Sequence, residues 1–168
     1  MKLVVKLTSG GIEAKGQKWP WGEDLVKNQE ILDPARWEKE AGEFWKRAGV
    51  RGRVAVVLGK DIIFEKEMGE KDDEKAFWAE VPIEPENMGR LVVKREGKKR
   101  LVAVNKGLYE AVVKSLKKVK VIGVFPEGEE KESFLGGNQG WEWWPVIIGG
   151  VVALAIVAGA WYLGLRNP

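Results

Sequence analysis

The chain has 168 residues, with 28 Lys and Arg against 25 Asp and Glu for a net charge of +3, and it contains neither His nor Cys. That composition removes the usual general base near neutral pH, the thiol nucleophile and most transition-metal sites. About 125 residues precede a Gly- and Glu-rich stretch, enough for one domain with one modest core.

In chain order, Leu3, Val5 and Leu7 alternate with polar or smaller neighbours, Ser9 to Gly11 make a turn, and residues 12–15 return to complete a β-hairpin. Residues 16–28, GQKWPWGEDLVKN, read as an irregular loop whose Trp19 and Trp21 cover the edge of the core. Asp33 before Pro34 is a helix start, an N-cap oxygen ahead of a residue with preset φ. Trp37, Ala41, Phe44, Trp45 and Ala48 then recur at helical spacing, and Gly49 ends the helix. RVAVVL, at 53–58, is nearly continuous in apolar residues, as in a central strand, and Gly59, Lys60 and Asp61 are expected to turn it into IIFEKEM as a second hairpin.

Asp72 or Asp73 caps a short helix carrying Ala76, Phe77 and Val81, which the two prolines of VPIEPENM break. Residues 91–94 and 100–104 flank EGKK as a third hairpin. Asn105 caps a helix with Leu108, Val112 and Leu116 as its apolar stripe, and residues 119–125 form a last strand. A flexible linker is expected over 126–142. The order predicts an α+β fold over residues 1–125, a compact mixed or antiparallel sheet with helices on it.

Residues 143–165, WWPVIIGGVVALAIVAGAWYLGL, carry no charge. A helix of that length reaches about 34 Å at ~1.5 Å per residue, enough to cross a hydrocarbon core of about 30 Å. Trp141, Trp143 and Trp144 at one end, and Trp161 and Tyr162 at the other, match the two membrane interfaces. Gly149 with Ala153, and Ala160 with Gly164, are small residues four apart, as in helix pairs that approach closely, so a homodimer is one expectation. Small residues are also simply common in membrane helices, which is the alternative account of these pairs. MKLVVKLTSGG lacks the apolar core of a signal peptide and only residues 166–168 follow the span. The expectation is a single-pass, tail-anchored protein of the inner membrane with its N-terminal domain in the cytoplasm.

Charge is unevenly spread. Residues 90–120 hold eleven basic and two acidic side chains, residues 61–89 three basic and ten acidic. Lys94, Arg95, Lys98, Lys99, Arg100, Lys106, Lys114, Lys117 and Lys118 are therefore candidates for meeting an acidic partner or anionic lipid, against the blander reading of a solvated hairpin and helix. With Tyr109 as the block's one aromatic residue, nucleic acid is not an expected partner.

The pieces KLTSGGIEA, DPARWEKEAGEFWKRAG, RVAVVLGKDIIFEKEM, EVPIEPENMGRLVV and RLVAVNKGLYEAVVKSLKKVKVIGVFP together resemble the first part of the PilM and GspL type of actin-like proteins, found in type IV pilus and type II secretion assembly platforms. The resemblance implies a partial actin-like ATPase fold and, for the GspL type, one membrane helix. Lys6 and Thr8 stand where that family's first phosphate loop has its Asp and Gly, which removes the carboxylate that organises hydrated Mg²⁺. No cofactor, metal or catalytic residue is expected. Both G-x-x-x-x-G-K-[ST] and G-x-G-x-x-G are absent, SGG is a weak phosphate-loop signal, and Glu84 and Glu86 around Pro85 read as a solvated acidic turn.

Two functions follow as expectations. One is a non-catalytic scaffold that holds protein partners of an assembly platform at the membrane, through the basic block or the acidic stretch 80–86, with strand addition to a sheet edge as mechanism. The other is a lipid-responsive membrane organiser acting as a helix-paired dimer.

Overall fold

A computed structural model describes residues 2–69, 71–117, 119–129 and 131–135. The chain opens with β1 (Lys2–Thr8), β2 (Gly11–Ala14) and β3 (Gln17–Pro20), an antiparallel meander. A small hairpin of β4 (Val26–Lys27) and β5 (Glu30–Ile31) leads into α1 (Pro34–Arg47). After α1 comes β6 (Arg53–Leu58), then a 3₁₀ turn (Lys60–Ile62), β7 (Phe64–Gly69) and α2 (Glu74–Glu80). The hairpin β8 (Met88–Arg95) and β9 (Lys98–Asn105), then α3 (Lys106–Ser115) and β10 (Lys120–Pro126), complete the order.

The strands form two main sheets. One has five strands in the order β10-β6-β1-β2-β3, with β1 and β10 each parallel to β6. The other has three antiparallel strands in the order β7-β9-β8. The second hairpin expected from the sequence does not form. β6 is buried between two parallel neighbours, as its continuous apolar run allows. The 3₁₀ turn then carries the chain out of that sheet, so β7 pairs with β9 instead.

Residues 17–20, read as loop, are an edge strand. Pro20 is tolerated there because an edge strand has one side that needs no donor. Gly11 at the β1–β2 turn admits no side chain: φ is 149° and an added Cβ would lie 2.3 Å from the Trp19 carbonyl oxygen.

Two clusters hold the sheets. The larger joins Leu7, Val54, Val56 and Leu58 to Phe44 of α1 and Leu108 and Val112 of α3, and also takes Val102 and Val104 from one face of β9. The smaller puts Phe77 and Val81 on the opposite face of β9, against Leu101 and Ala103. Both long helices start where their caps predict. Asp33 accepts the Arg36 amide at 2.9 Å, and Asn105 the Gly107 amide at 2.9 Å.

Contacts continue past residue 125, where the linker was expected to begin. Ser133 Oγ accepts the Val124 amide at 2.9 Å, the Phe134 amide donates back to the Val124 carbonyl, and the Phe134 ring lies 5.7 Å from that of Tyr109. Among the described residues no helix is long and apolar enough to cross a membrane. The expected span at 143–165, with its interface residues Trp141, Trp143, Trp144, Trp161 and Tyr162 and its small residues Gly149, Ala153, Ala160 and Gly164, lies outside the described residues.

Candidate functional site

The basic block is divided between the β8–β9 hairpin and α3, and most of its charges are engaged. Arg95 Nη2 lies 2.8 Å from Glu129, whose side chain is 1% exposed. Lys99 is buried and holds Glu74 at 3.0 Å. Arg100 pairs with Glu65 and also reaches the Glu127 carbonyl. On α3, Lys106 is 3.7 Å from Glu110, and Lys117 pairs with Glu38, holding that carboxyl below its ordinary range. Lys94, Lys98 and Lys114 hold no carboxylate among the described residues, and Lys118 lies outside them. Glu84 accepts from the Asn87 side chain at 3.3 Å in an exposed turn.

The turn at the C-terminal end of β1, where the sequence carries Lys6, Thr8 and the SGG run, is closed by the chain's own carboxylates. Asp61 accepts the Ser9 amide at 2.8 Å and the Ser9 hydroxyl at 2.6 Å. Burial alone would raise the Asp61 carboxyl, but these bonds outweigh it and hold it below its ordinary value. Lys6 Nζ donates to Glu127 at 2.9 Å, which raises Lys6 and lowers Glu127, chiefly through the hydrogen bond itself. Groups that would face an anion here already face one supplied by the protein.

A different region keeps an unused donor. The β4–β5 turn, the first turns of α1 and the outer face of α3 enclose a cleft of about 660 Å³. Ile31, Pro34, Trp37 and Ala111 form its apolar wall, and Gln29, Asn87 and Asn105 give it an amide-rich end. Asn28 and Gln29, at φ 50° and 64°, make the tight turn that carries the Gln29 side chain to the Asn105 amide.

Trp37 is 3% exposed, with its indole 5.0 Å from Trp19 and 5.3 Å from Trp21. Its Nε1 is buried and has no hydrogen-bond partner among the described residues. Leaving such a donor unpaired costs about 1–3 kcal/mol, and because its own surface is closed off it can take an acceptor only if its neighbours move. Trp45, two turns further along α1, shows the ordinary solution: its Nε1 donates to Ser115 Oγ at 2.8 Å. The sequence marks both tryptophans only as members of one apolar stripe. The Asn and Gln residues that converge with Trp37 come from three separate segments, so no local signal joins them.

The five-stranded sheet carries a small three-stranded sheet inserted between β6 and α3. No protein-family model matches the sequence, and no curated protein matches it in sequence. Solved structures do match. One is from the PilM-PilN type IV pilus biogenesis complex, at 12% identity and a TM-score of 0.50, over 75% of this chain and 47% of that one. Another is the cytoplasmic domain of EpsL, an inner membrane component of the type II secretion system of Vibrio cholerae, at 21% identity, a TM-score of 0.43 and 74% and 55% coverage. A third is a Bacteroides thetaiotaomicron protein of actin-like ATPase fold and unknown function, at 11% identity, a TM-score of 0.41 and 74% and 51% coverage. The chain thus spans about half the length of the solved chains it matches, and what it shares with the chain from the PilM-PilN complex is the fold.

Proposed function

We propose that this protein is a non-catalytic scaffold of a type IV pilus or type II secretion-like assembly platform, tethered to the inner membrane by residues 143–165, and that it holds an extended segment of a protein partner in the cleft between α1 and α3. The observation that carries this reading is the buried, unbonded Nε1 of Trp37, a residue in the wall of a cleft whose other polar lining mixes side-chain amides with Glu30, Glu38, Glu110, Lys114 and Lys117. Such a lining suits a peptide main chain, whose carbonyl oxygens accept and whose N–H groups donate. The shared fold supports the kind of assembly, since the matched chain belongs to a PilM-PilN type IV pilus biogenesis complex. The absence of His and Cys supports a role without catalysis. The carboxylates on Lys6 and Ser9 support a protein partner over a nucleotide. Pairing of Arg95, Lys99, Arg100, Lys106 and Lys117 with carboxylates favours that partner over a lipid surface.

The test is photo-crosslinking in native membranes from full-length protein carrying a photoreactive residue at Ala111, in the cleft wall, with and without Trp37→Phe. That substitution removes the donor and keeps an aromatic ring. Recovery of pilus or secretion platform components at Ala111, reduced about tenfold by Trp37→Phe, supports the reading, a buried hydrogen bond being worth about 1–3 kcal/mol. Crosslinks to the protein itself alone, or recovery indifferent to Trp37→Phe, would overturn it.

A further inference from the structure

Among the described residues the three-stranded sheet ends in β8. Residue pairing fixes which backbone groups that edge offers. Glu96 and Gly97, at φ 47° and 73°, are the left-handed pair of a two-residue type I′ turn, so Arg95 and Lys98 form the first hydrogen-bonded pair of the hairpin. Alternation then aims the N–H and C=O groups of Gly89, Leu91, Val93 and Arg95 at β9, and those of Met88, Arg90, Val92 and Lys94 outward. The same alternation carried across β9 turns Gly69 of β7 outward, and there its amide donates to Asp72 Oδ2 at 2.7 Å. The outward amides of Arg90, Val92 and Lys94 have no such partner among the described residues.

Side chains beside that edge are specific in kind. Arg90 and Lys94 are exposed, with Val92 half-buried between them on the face that α2 covers. The half-buried Trp78 and Ile83 adjoin Val92 in the smaller cluster, and the Arg90 guanidinium lies 5.4 Å from the Trp78 ring centre. β8 carries Arg90, Lys94 and Arg95 and no acidic residue. Two copies of this edge laid side by side would set cations against cations, a device that keeps sheet edges from self-pairing. A strand with carboxylates at alternate same-face positions meets them instead.

We infer that the outer edge of β8 accepts an added β-strand from an acidic partner segment of pattern acid–x–apolar–x–acid. Its two carboxylates face Arg90 and Lys94, and its apolar residue lies beside Val92. This surface is separate from the α1–α3 cleft and does not depend on the partner proposed there.

Full-length protein in detergent, titrated with the synthetic peptide STETVTETS and read residue by residue by NMR hydrogen exchange, tests it. Exchange of the Arg90, Val92 and Lys94 amides should slow by about tenfold or more at saturation, while Leu91 and Val93 are slow throughout. Val92→Pro removes one outward N–H and leaves the β8–β9 ladder whole, so it should weaken peptide binding by about tenfold. Arg90→Glu with Lys94→Glu should abolish binding and restore it to the Lys-for-Glu peptide, which also shows that the variant is folded. Unprotected outward amides, unchanged affinity in Val92→Pro, or protection that grows with protein concentration without peptide would each overturn the inference, the last by pointing to a second copy.

Discussion

Two regions of the same domain treat their polar groups in opposite ways. At the end of β1, Ser9 and Lys6 are bonded to Asp61 and Glu127 from distant segments. Beside the cleft between α1 and α3, the Trp37 indole N–H is buried and bonded to nothing among the described residues. The difference separates structure from function. A turn whose donors are met by the protein's own carboxylates is a brace, whereas a donor kept unbonded at a cost is a grip. By this measure the turn with the weak phosphate-loop signal already has its donors occupied.

The comparison can be broken most severely beneath both regions. Phe44 lies 5.9 Å from Trp19 and 4.9 Å from Trp45, fully buried. Phe44→Ala should lower unfolding stability in denaturant by about 3–5 kcal/mol and loosen both regions together. Ser115→Ala is a sharper test. It leaves the Trp45 indole N–H as unpaired as that of Trp37, and urea unfolding should show a loss of about 1–3 kcal/mol. Asn105→Ala removes the cap of α3 at the amide-rich end of the cleft, and should cost about 1 kcal/mol in the same assay.

The smallest effect is that of pH on the brace. Glu127, lowered in the folded protein, contributes stability that is present above its ordinary 4.5 and lost as pH falls through its native value. Lys6, raised, contributes stability that is present below its ordinary 10.5 and lost as pH rises through its native value. Glu127→Gln should remove a small part of the acid dependence of Tm while leaving cleft binding unchanged, because the pair is exposed and screened.

Local structure was legible in the sequence because its signals are local. Asp33 and Asn105 are followed within three residues by the amides they cap, and the α1 stripe of Trp37, Ala41, Phe44 and Trp45 is the buried face. Pairing was less legible. RVAVVL announced a central strand, yet a three-residue connection suggested a hairpin, and only the sheet shows that β6 has parallel neighbours from both ends of the domain. Trp19 and Pro20 looked like loop because an edge strand needs no full hydrogen-bonding complement. The pairing of the basic block was hidden for a similar reason. Glu65, Glu74 and Glu129, which neutralise Arg100, Lys99 and Arg95, are 25 to 35 residues away in sequence, and neutralisation is set by the fold.

The parallel pairing of β6 with β10 also sets a timetable for synthesis. Lys120–Pro126 cannot join Arg53–Leu58 until the whole inserted sheet and α3 have been made. At roughly 5–20 residues per second, that leaves one flank of RVAVVL open for about 3–14 s on the ribosome. A Val-rich strand with a bare flank is a template for the wrong chain. The nascent protein is therefore expected to need a chaperone most while its insert is being made, and least once Pro126 has emerged.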